Sequence, residues 1–410
     1  MDRVAHAADA GTGHLKHAMK RFDVVIAGGA AIGSAAAYFL TAHPAFRGCS
    51  VLVLEPDPTY SQCATTRSVA SIRHQFSTAG NIRMSQFGTG FVRSAAQLLA
   101  VDGQVPDLGF REAGYLFLAS VSGLAQLRHN HEVQRSCGAD VAWLDAAQLQ
   151  ARFPWLSTDD IAGAVLGLSG EGWIDAHSLL AALRRRAIAQ GAIYQVRRAV
   201  GLTRSGSKIV SVGLDDGSSV ACATVINAAG VGATRLALSA GIDLPVEPRK
   251  RSVFFFRTPA ALPDCPLVID PNGVYFRPEG DGFLAGVAPP AHEDLPCTDF
   301  DVQHHLFESH IWPTLAQRVP GLAALRLGSA WAGHYDMNTF DHNLVIGAHP
   351  EVDNLLFANG LSGHGLQQAP AIGRALAELT VSARFETLDL SEFGWERILA
   401  GRPLRELNVV

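Results

Sequence analysis

Gly28, Ala30 and Gly33 stand where a strand-like run, FDVVIAGG from Phe22, gives way to the helix-like AAIGSAAAYFL. Small residues at this spacing suit one chemistry. A tight turn lets backbone N–H groups at a helix start approach a pyrophosphate, and close helix-to-strand packing keeps them there. The pattern carries glycine at its first and last places and alanine in the middle, so the turn of Ala30, Ala31 and Ile32 holds a pyrophosphate slightly further out than an all-glycine turn. Glu55, followed by Pro56, closes a second aliphatic run, CSVLVLEPD from Cys49. A carboxylate there accepts bonds from ribose hydroxyls and repels the 2′-phosphate of NADP. The competing reading is that these small residues only pack a helix tightly onto a sheet, and the turn alone leaves NAD and FAD equally open.

The elements that must position this turn read as strand, helix, strand, because continuous aliphatics without polar alternation suit a parallel sheet covered on both faces. Further along, REAGYLFLAS from Arg111 predicts a strand, and IDAHSLLAALRRRAIAQGA from Ile174 a long helix capped by Asp175. DDGSSVACATVINAAG, Asp215 to Gly230, reads as a hairpin-like pair. Between Val246 and Gly286 the runs SVFFFRT, NGVYFRP and GFLAGVA, punctuated by Pro and Gly, predict an antiparallel sheet. From Asn354, NLLFANGLSGHGLQQAPAIGRALAELTV repeats the strand, glycine-rich turn, helix plan. Parallel elements at both ends with antiparallel ones between, and no repeat of fixed period, predict α/β plus α+β architecture with interleaved domains.

A chain of 410 residues has length for two or three domains, and 48% hydrophobic against 17% charged residues describe a compact globular protein. A net charge of −5 without blocks of like charge supplies no surface for nucleic acid or anionic membrane, so a small-molecule partner is expected. Cys49, Cys63, Cys137, Cys222, Cys265 and Cys297 are scattered, with no C-x-x-C pair and no zinc-like spacing. They read as reduced thiols of a cytoplasmic protein that holds no metal. The sequence lacks an apolar run of membrane-spanning length, and residues 1–20, rich in Ala, Gly and His, read as a flexible tail.

Two further segments carry a family resemblance. YSQCATTRSVASIRHQFSTAGNIRMSQFG (Tyr60 to Gly88) and GHYDMNTFDHNLVIGAHPEVDNLLFANGLSGHGLQQAPAIGRALAEL (Gly333 to Leu379) resemble the FAD-dependent amine oxidoreductases of the D-amino acid oxidase, glycine oxidase and sarcosine oxidase type. GYLFLA, EGWIDAHSLL and VINAAG are weaker markers, and the likeness runs from Phe22 to Val381. It implies a Rossmann-like FAD-binding domain of glutathione-reductase type, made of residues 21–105, 165–235 and 336–400. An antiparallel-sheet substrate domain of 106–164 and 236–335 is interleaved with it. By position, Thr65, Thr66, Arg67 and Ser71 come near the pyrophosphate and ring, Val200 meets adenine through its backbone, and Ala229 and Gly230 close the VINAAG marker. The turn of Gly360, Ser362, Gly363, His364 and Gly365 opens a helix whose N–H groups and dipole stabilise negative charge on a reduced flavin, with His364 and Gln367 as further donors. Members that bind flavin covalently do so through a cysteine of the later segment or a histidine of the earlier one. Here His334 to Asp336 contains no cysteine and the early position is Ser68, which implies non-covalent FAD.

The same resemblance implies oxidation beside nitrogen. A hydride equivalent passes from carbon to flavin N5, the imine hydrolyses, and the substrate is a small N-alkylated or D-configured amino acid. An arginine fork suits the carboxylate of such a substrate. Arg73 in IRHQF occupies the sarcosine oxidase position for it, Arg277 in NGVYFRPEG competes with it, and Tyr275, His334 and Tyr335 complete the candidate catalytic set. Two lysines of sarcosine oxidase are replaced, by Leu284 beside the flavin and by Gln367 at the carboxylate. Losing the first cation favours a dehydrogenase that passes electrons to a quinone or flavoprotein over an enzyme that uses O2. The alternatives are a 2-hydroxy acid dehydrogenase and a flavin-binding assembly or interaction protein of a respiratory complex. Acid precipitation of the yellow protein should leave the colour in the supernatant; colour retained in the pellet would show a covalent flavin.

Overall fold

The computed structural model describes residues 19–408; residues 1–18, most of the segment read as a tail, lie outside the described residues. β1 (Arg21–Ala27) leads through the Gly28 turn into α1 (Ala31–Ala42), and β2 (Val51–Leu54) returns beside β1. After the short α2 (Ala64–Arg67) and β3 (Ser71–Ile72), α3 (Ala79–Arg93) and α4 (Ala95–Leu98) carry the chain to β4 (Tyr115–Ala119). There follow α5 (Leu124–Ser136), β5 (Val141–Leu144), α6 (Ala146–Arg152), β6 (Gly163–Gly167), the small strand β7 (Gly172–Trp173) that pairs with β3, and α7 (Ala176–Ala189). β8 (Ile193–Gln195), β9 (Ala199–Ser205), β10 (Lys208–Leu214) and β11 (Ser219–Asn227) return to the first sheet, and α8 (Ala233–Leu238) leaves it. β12 (Val246–Arg257), β13 (Leu267–Ile269), β14 (Tyr275–Glu279), β15 (Gly282–Gly286), α9 (Trp312–Arg318) and β16 (Arg326–Asn338) complete a second sheet. β17 (Val345–His349), β18 (Val352–Asn359), α10 (Gly365–Ser382) and α11 (Trp395–Leu399) close the first.

The first sheet runs β17-β18-β11-β1-β2-β8, with β10 and β9 continuing from β11, and its centre is parallel. Alternation in β1 sends Val24 and Ile26 into a layer with α1, α7 and α10, and Val25 and Ala27 into a layer with α8, so the sheet is covered on both faces. The second sheet runs β16-β12-β15-β14-β13-β4-β6-β5 and is antiparallel except where β13 meets β4. Its alternation buries Leu116, Phe254, Phe256 and Phe276 under α9, each large side chain contributing about 1.5–3 kcal/mol. Tyr115, Phe117 and Tyr275 point from the opposite face. The fold is thus a mixed α/β one, with a parallel-centred sheet and an antiparallel sheet woven from alternating parts of the chain.

Asp175 caps α7, its side chain accepting from the Ser178 N–H at 2.5 Å. The hairpin-like pair read between Asp215 and Gly230 is corrected: that window holds only β11, whose antiparallel partner β10 precedes it. Asp215–Gly217 forms the turn instead, with Gly217 at φ +82°. All six cysteines are free thiols, and among the described residues no helix is long and apolar enough to cross a membrane.

α10 crosses α1 at backbone contact, since a Cβ on Gly373 would lie 2.6 Å from the Ala35 carbonyl carbon and 2.8 Å from the Ala36 nitrogen. Gly373→Ala gains about 1 kcal/mol of helix propensity, but the neighbours are backbone and cannot give, so overpacking of about 1–3 kcal/mol wins. Urea unfolding should show a lower midpoint for that variant; an unchanged or higher midpoint would remove this contact from the account.

Candidate functional site

β1, β11 and β18 run parallel and end at Ala27, Asn227 and Asn359, so three strand ends open on one edge of the first sheet, where ligands of such sheets bind. At the end of β1 the turn is tight. Gly28 has φ +97°, and a Cβ on it would lie 2.3 Å from the Ala228 carbonyl oxygen. A Cβ on Gly33 would lie 1.9 Å from the Gly28 carbonyl oxygen, so α1 is pressed directly onto β1. Ser34 is the first residue whose N–H turns back into the helix, on Ala30 O at 2.8 Å; the Ala31 N–H is taken by Thr65 Oγ1 at 3.3 Å. Ile32 and Gly33 therefore supply the outward N–H groups of the helix start. Glu55 accepts from the N–H groups of Gly29 and Asp57, both at 2.9 Å. Burial pushes its carboxyl above the usual range while those two N–H groups pull it back. Pro56 is exposed beside it. Ala229, after β11, packs against the Gly28 turn, Gly230 follows it with φ +51°, and Val200 is exposed on β9, two residues past Arg198, whose charge acts on Glu55.

These features fit FAD: the Gly28–Gly33 turn would take the pyrophosphate, Glu55 the ribose and the start of α10 the ring. Gly363 has φ +96°, and a Cβ there would meet the Tyr335 ring at 2.5 Å. Asn359, wholly buried at the end of β18, has both ends of its amide without a partner among the described residues. Gly360 is held by its N–H on the Asp336 carboxylate at 2.9 Å, and the Ser362 N–H bonds Asp336 O at 3.1 Å. Burial pushes Asp336 up to about 6, against the pull of backbone N–H groups that include those of Leu361 and Gly360.

Next to this turn is a cavity lined by Ser71, Arg73, Tyr115, Tyr275, Tyr335, Ser362, Gly363, His364 and Gln367 among others. The Arg73 N–H donates to Gln367 Oε1 at 2.7 Å, which turns the Gln367 amide nitrogen the other way. The guanidinium bonds the Gln75 carbonyl at 2.5 Å and the Asn408 carbonyl, and its centre lies 4.0 Å from the Phe76 ring. Burial lowers its pKa. Burial also raises the Tyr115 hydroxyl to about 12 and pushes Tyr275 and Tyr335 upward, so all three stay neutral donors. Burial and the Arg73 charge pull His364 down to about 3. Its ring is buried and neutral, and its Nε2 has no partner among the described residues.

Other expected residues lie elsewhere. Arg277 points past the cavity: it bonds Val69 O and Pro278 O, each at 2.8 Å, pairs with Glu279 and lies 4.9 Å over Trp173. His334 alternates with Tyr335 along β16 and faces the other way, its ring 4.5 Å from that of Phe300. Arg67 bonds Ser61 O and Ala332 O at 2.7 and 2.8 Å and lies 4.5 Å over Phe300, so it clasps α2 to β16. Thr66 bonds the Tyr60 carbonyl. Leu284, where a lysine was sought, is buried opposite Arg277 on β15. Sequence reasoning missed Tyr115, Glu171 and the segment Leu404–Asn408. A charge between two glycines, Gly170 and Gly172, was the available signal for Glu171; the last segment carries no motif.

The family model described as "DAO: FAD dependent oxidoreductase" matches residues 23–379. The chain is 42% identical to FAD-dependent oxidoreductase domain-containing protein 1 of Xenopus laevis over 426 residues, covering 95% of this chain and 85% of that one. Glycine oxidase from Geobacillus kaustophilus superposes with TM-score 0.78 at 25% identity, covering 92% and 98% of the two chains. L-proline dehydrogenase from P. horikoshii superposes with TM-score 0.82 at 24% identity, covering 94% and 100%.

Glu171 holds the turn that follows Arg73. It accepts from the His74 N–H at 2.5 Å and from Gln75 Nε2 at 2.7 Å. Burial raises its pKa from an ordinary 4.5 to about 7, partly opposed by those donors and by Arg73. The folded state thus binds the proton more tightly than the unfolded one. Stability from this group is complete below about pH 4.5 and is lost as pH rises through about 7. Between pH 5 and 8 the urea midpoint of wild type should fall relative to that of Glu171→Gln as pH rises; a constant difference would refute the assignment.

Proposed function

The chain belongs to the DAO family of FAD-dependent oxidoreductases, and from that premise we propose that it oxidises the carbon–nitrogen bond of a small amino acid, N-alkylated or D-configured, held in the Arg73 cavity. The observation that carries this reading is a buried arginine lining a cavity beside the α10 turn. Of five guanidinium N–H donors, two are spent on the carbonyls of Gln75 and Asn408, which leaves a fork for a carboxylate. The Gln367 amide nitrogen adds a donor, and the three neutral tyrosines add hydroxyls while excluding water. Among the described residues no acidic side chain lines the cavity, and His364 is too weakly basic to hold a proton at neutral pH. The amine therefore binds neutral, as its oxidation requires. Bound FAD supplies the acceptor for the hydride, and hydrolysis of the resulting imine occurs in solution. The name of the glycine oxidase relative supports an amino-acid substrate. We further propose that the FAD is non-covalent and, with no lysine among the described residues lining the cavity, that its electrons go to a quinone or flavoprotein.

Anaerobic mixing with N-methylglycine, D-alanine, L-proline and lactate tests this. The flavin band should bleach with at least one amino acid, and Arg73→Ala should raise the half-saturating concentration about 10- to 100-fold, the worth of hydrogen bonds to a charged group. Bleaching by lactate alone would replace the amine with a hydroxy acid, no bleaching by anything would favour a binding protein, and rapid reoxidation by air with peroxide release would defeat the dehydrogenase assignment.

A further inference from the structure

Leu404–Asn408 belongs to no helix or strand, yet Leu404, Glu406, Leu407 and Asn408 are each held by hydrogen bonds. The Leu404 N–H donates to Asp341 Oδ2 at 3.0 Å, a carboxylate itself held by Arg397 at 2.7 Å. Glu406 is 2% exposed, and its carboxylate accepts five hydrogen bonds. These come from Ser77 N at 2.8 Å, Ser77 Oγ at 2.7 Å, and Asn408 N, Thr78 Oγ1 and Asn81 Nδ2, each at 3.0 Å. The Leu407 N–H reaches Ser77 Oγ at 2.9 Å. Asn408 accepts from the Arg73 guanidinium on its carbonyl, donates through Nδ2 to Gln75 O at 3.2 Å, and accepts from Asn130 Nδ2 at 2.9 Å.

Burying a carboxylate is expensive unless its lone pairs are used, and here they are used by groups that bracket one residue. Ser77 and Thr78 follow Arg73–Gln75 in the chain and precede α3, whose N-terminus favours negative charge. Asn408 lies two residues from Glu406 on the other side. Both ends of the clasp therefore close on the Arg73 turn. Although burial opposes the charge on Glu406, the Ser77 bonds, the Asn408 N–H and Arg73 together hold its pKa below the usual range, so the anchor stays ionised.

We propose that Leu404–Asn408 is a positioning element of the substrate site. Glu406 clamps the segment to the Ser77–Thr78 turn and thereby holds the Asn408 carbonyl against the back of the Arg73 guanidinium, aiming its remaining N–H groups into the cavity. The inference rests on the reading of Arg73 as the carboxylate-binding residue. It predicts that Glu406 acts on anionic ligands through Arg73 and not on the cavity at large.

The test is a double-mutant cycle on the FAD-loaded protein. Benzoate, a carboxylate on a flat ring that perturbs flavin absorption by stacking, is the probe, and benzamide is its uncharged counterpart. Flavin content and thermal midpoint are recorded for each variant. Glu406→Gln, close in size to the native residue, should weaken benzoate about tenfold and benzamide less than about twofold, and the Arg73→Ala, Glu406→Gln pair should be no weaker than Arg73→Ala alone within about twofold. Equal losses for benzoate and benzamide, or losses that add in the double variant, would overturn the proposal by showing a general structural effect. If Arg73→Ala weakens benzoate and Glu406→Gln does not, the positioning inference alone fails. If wild type does not prefer benzoate over benzamide, or Arg73→Ala costs it nothing, the carboxylate reading fails and takes this inference with it.

Discussion

A guanidinium taken almost wholly out of water must find its partners in the protein, and Arg73 draws them from the whole length of the chain. Its backbone N–H is received by Gln367 on α10, two of its five guanidinium N–H groups by Gln75 and Asn408, and its flat face by Phe76 and Phe117. The turn it starts is held by Glu171 from one side and Glu406 from the other. Removing any one partner of a buried charge is costly because the charge remains. The α10 start, the second sheet, α3 and the closing segment are thus tied together around one residue and the turn it starts, and that residue also lines the cavity.

The dinucleotide half depends on a different constraint, the approach of backbone to backbone. Gly28 needs both its positive φ and its missing Cβ, and Gly33 needs the missing Cβ. Ala30 does not break the pattern because its φ is −69°, a conformation any residue adopts, so its methyl costs room and not strain. The same logic recurs at Gly363, whose Cβ would strike the Tyr335 ring. Close approach at the two helix starts leaves N–H groups at the two places where the ends of one FAD would lie.

The second sheet sorts the remaining candidates by its pleat. Neighbours on a strand face opposite ways, so Tyr335 lines the cavity and His334 packs on Phe300. Tyr275 and Arg277 share a face, but the longer side chain of Arg277 curls onto the Val69 carbonyl and holds the wall of the cavity in place of entering it. Arg67, expected near the pyrophosphate, is spent on bonding two carbonyls that join α2 to β16.

The sequence by itself determined what local rules govern: buried aliphatic strands, the two glycine-bearing helix starts, the Asp175 cap, the acid at the end of β2, and through its motifs the family and the FAD. Each depends on residues within a turn or a strand of one another. What only the tertiary structure decided is which candidates reach the cavity. Arg73 and Arg277 are alike as residue types, and the choice between them is made by hydrogen-bond acceptors and strand faces far away in sequence, the Asn408 carbonyl being 335 residues from Arg73. Tyr115, Glu171 and Glu406 are ordinary residues in their own neighbourhoods. They join the site because burial leaves the Arg73 charge and the turn behind it no other partners, a demand that exists only once the chain has folded.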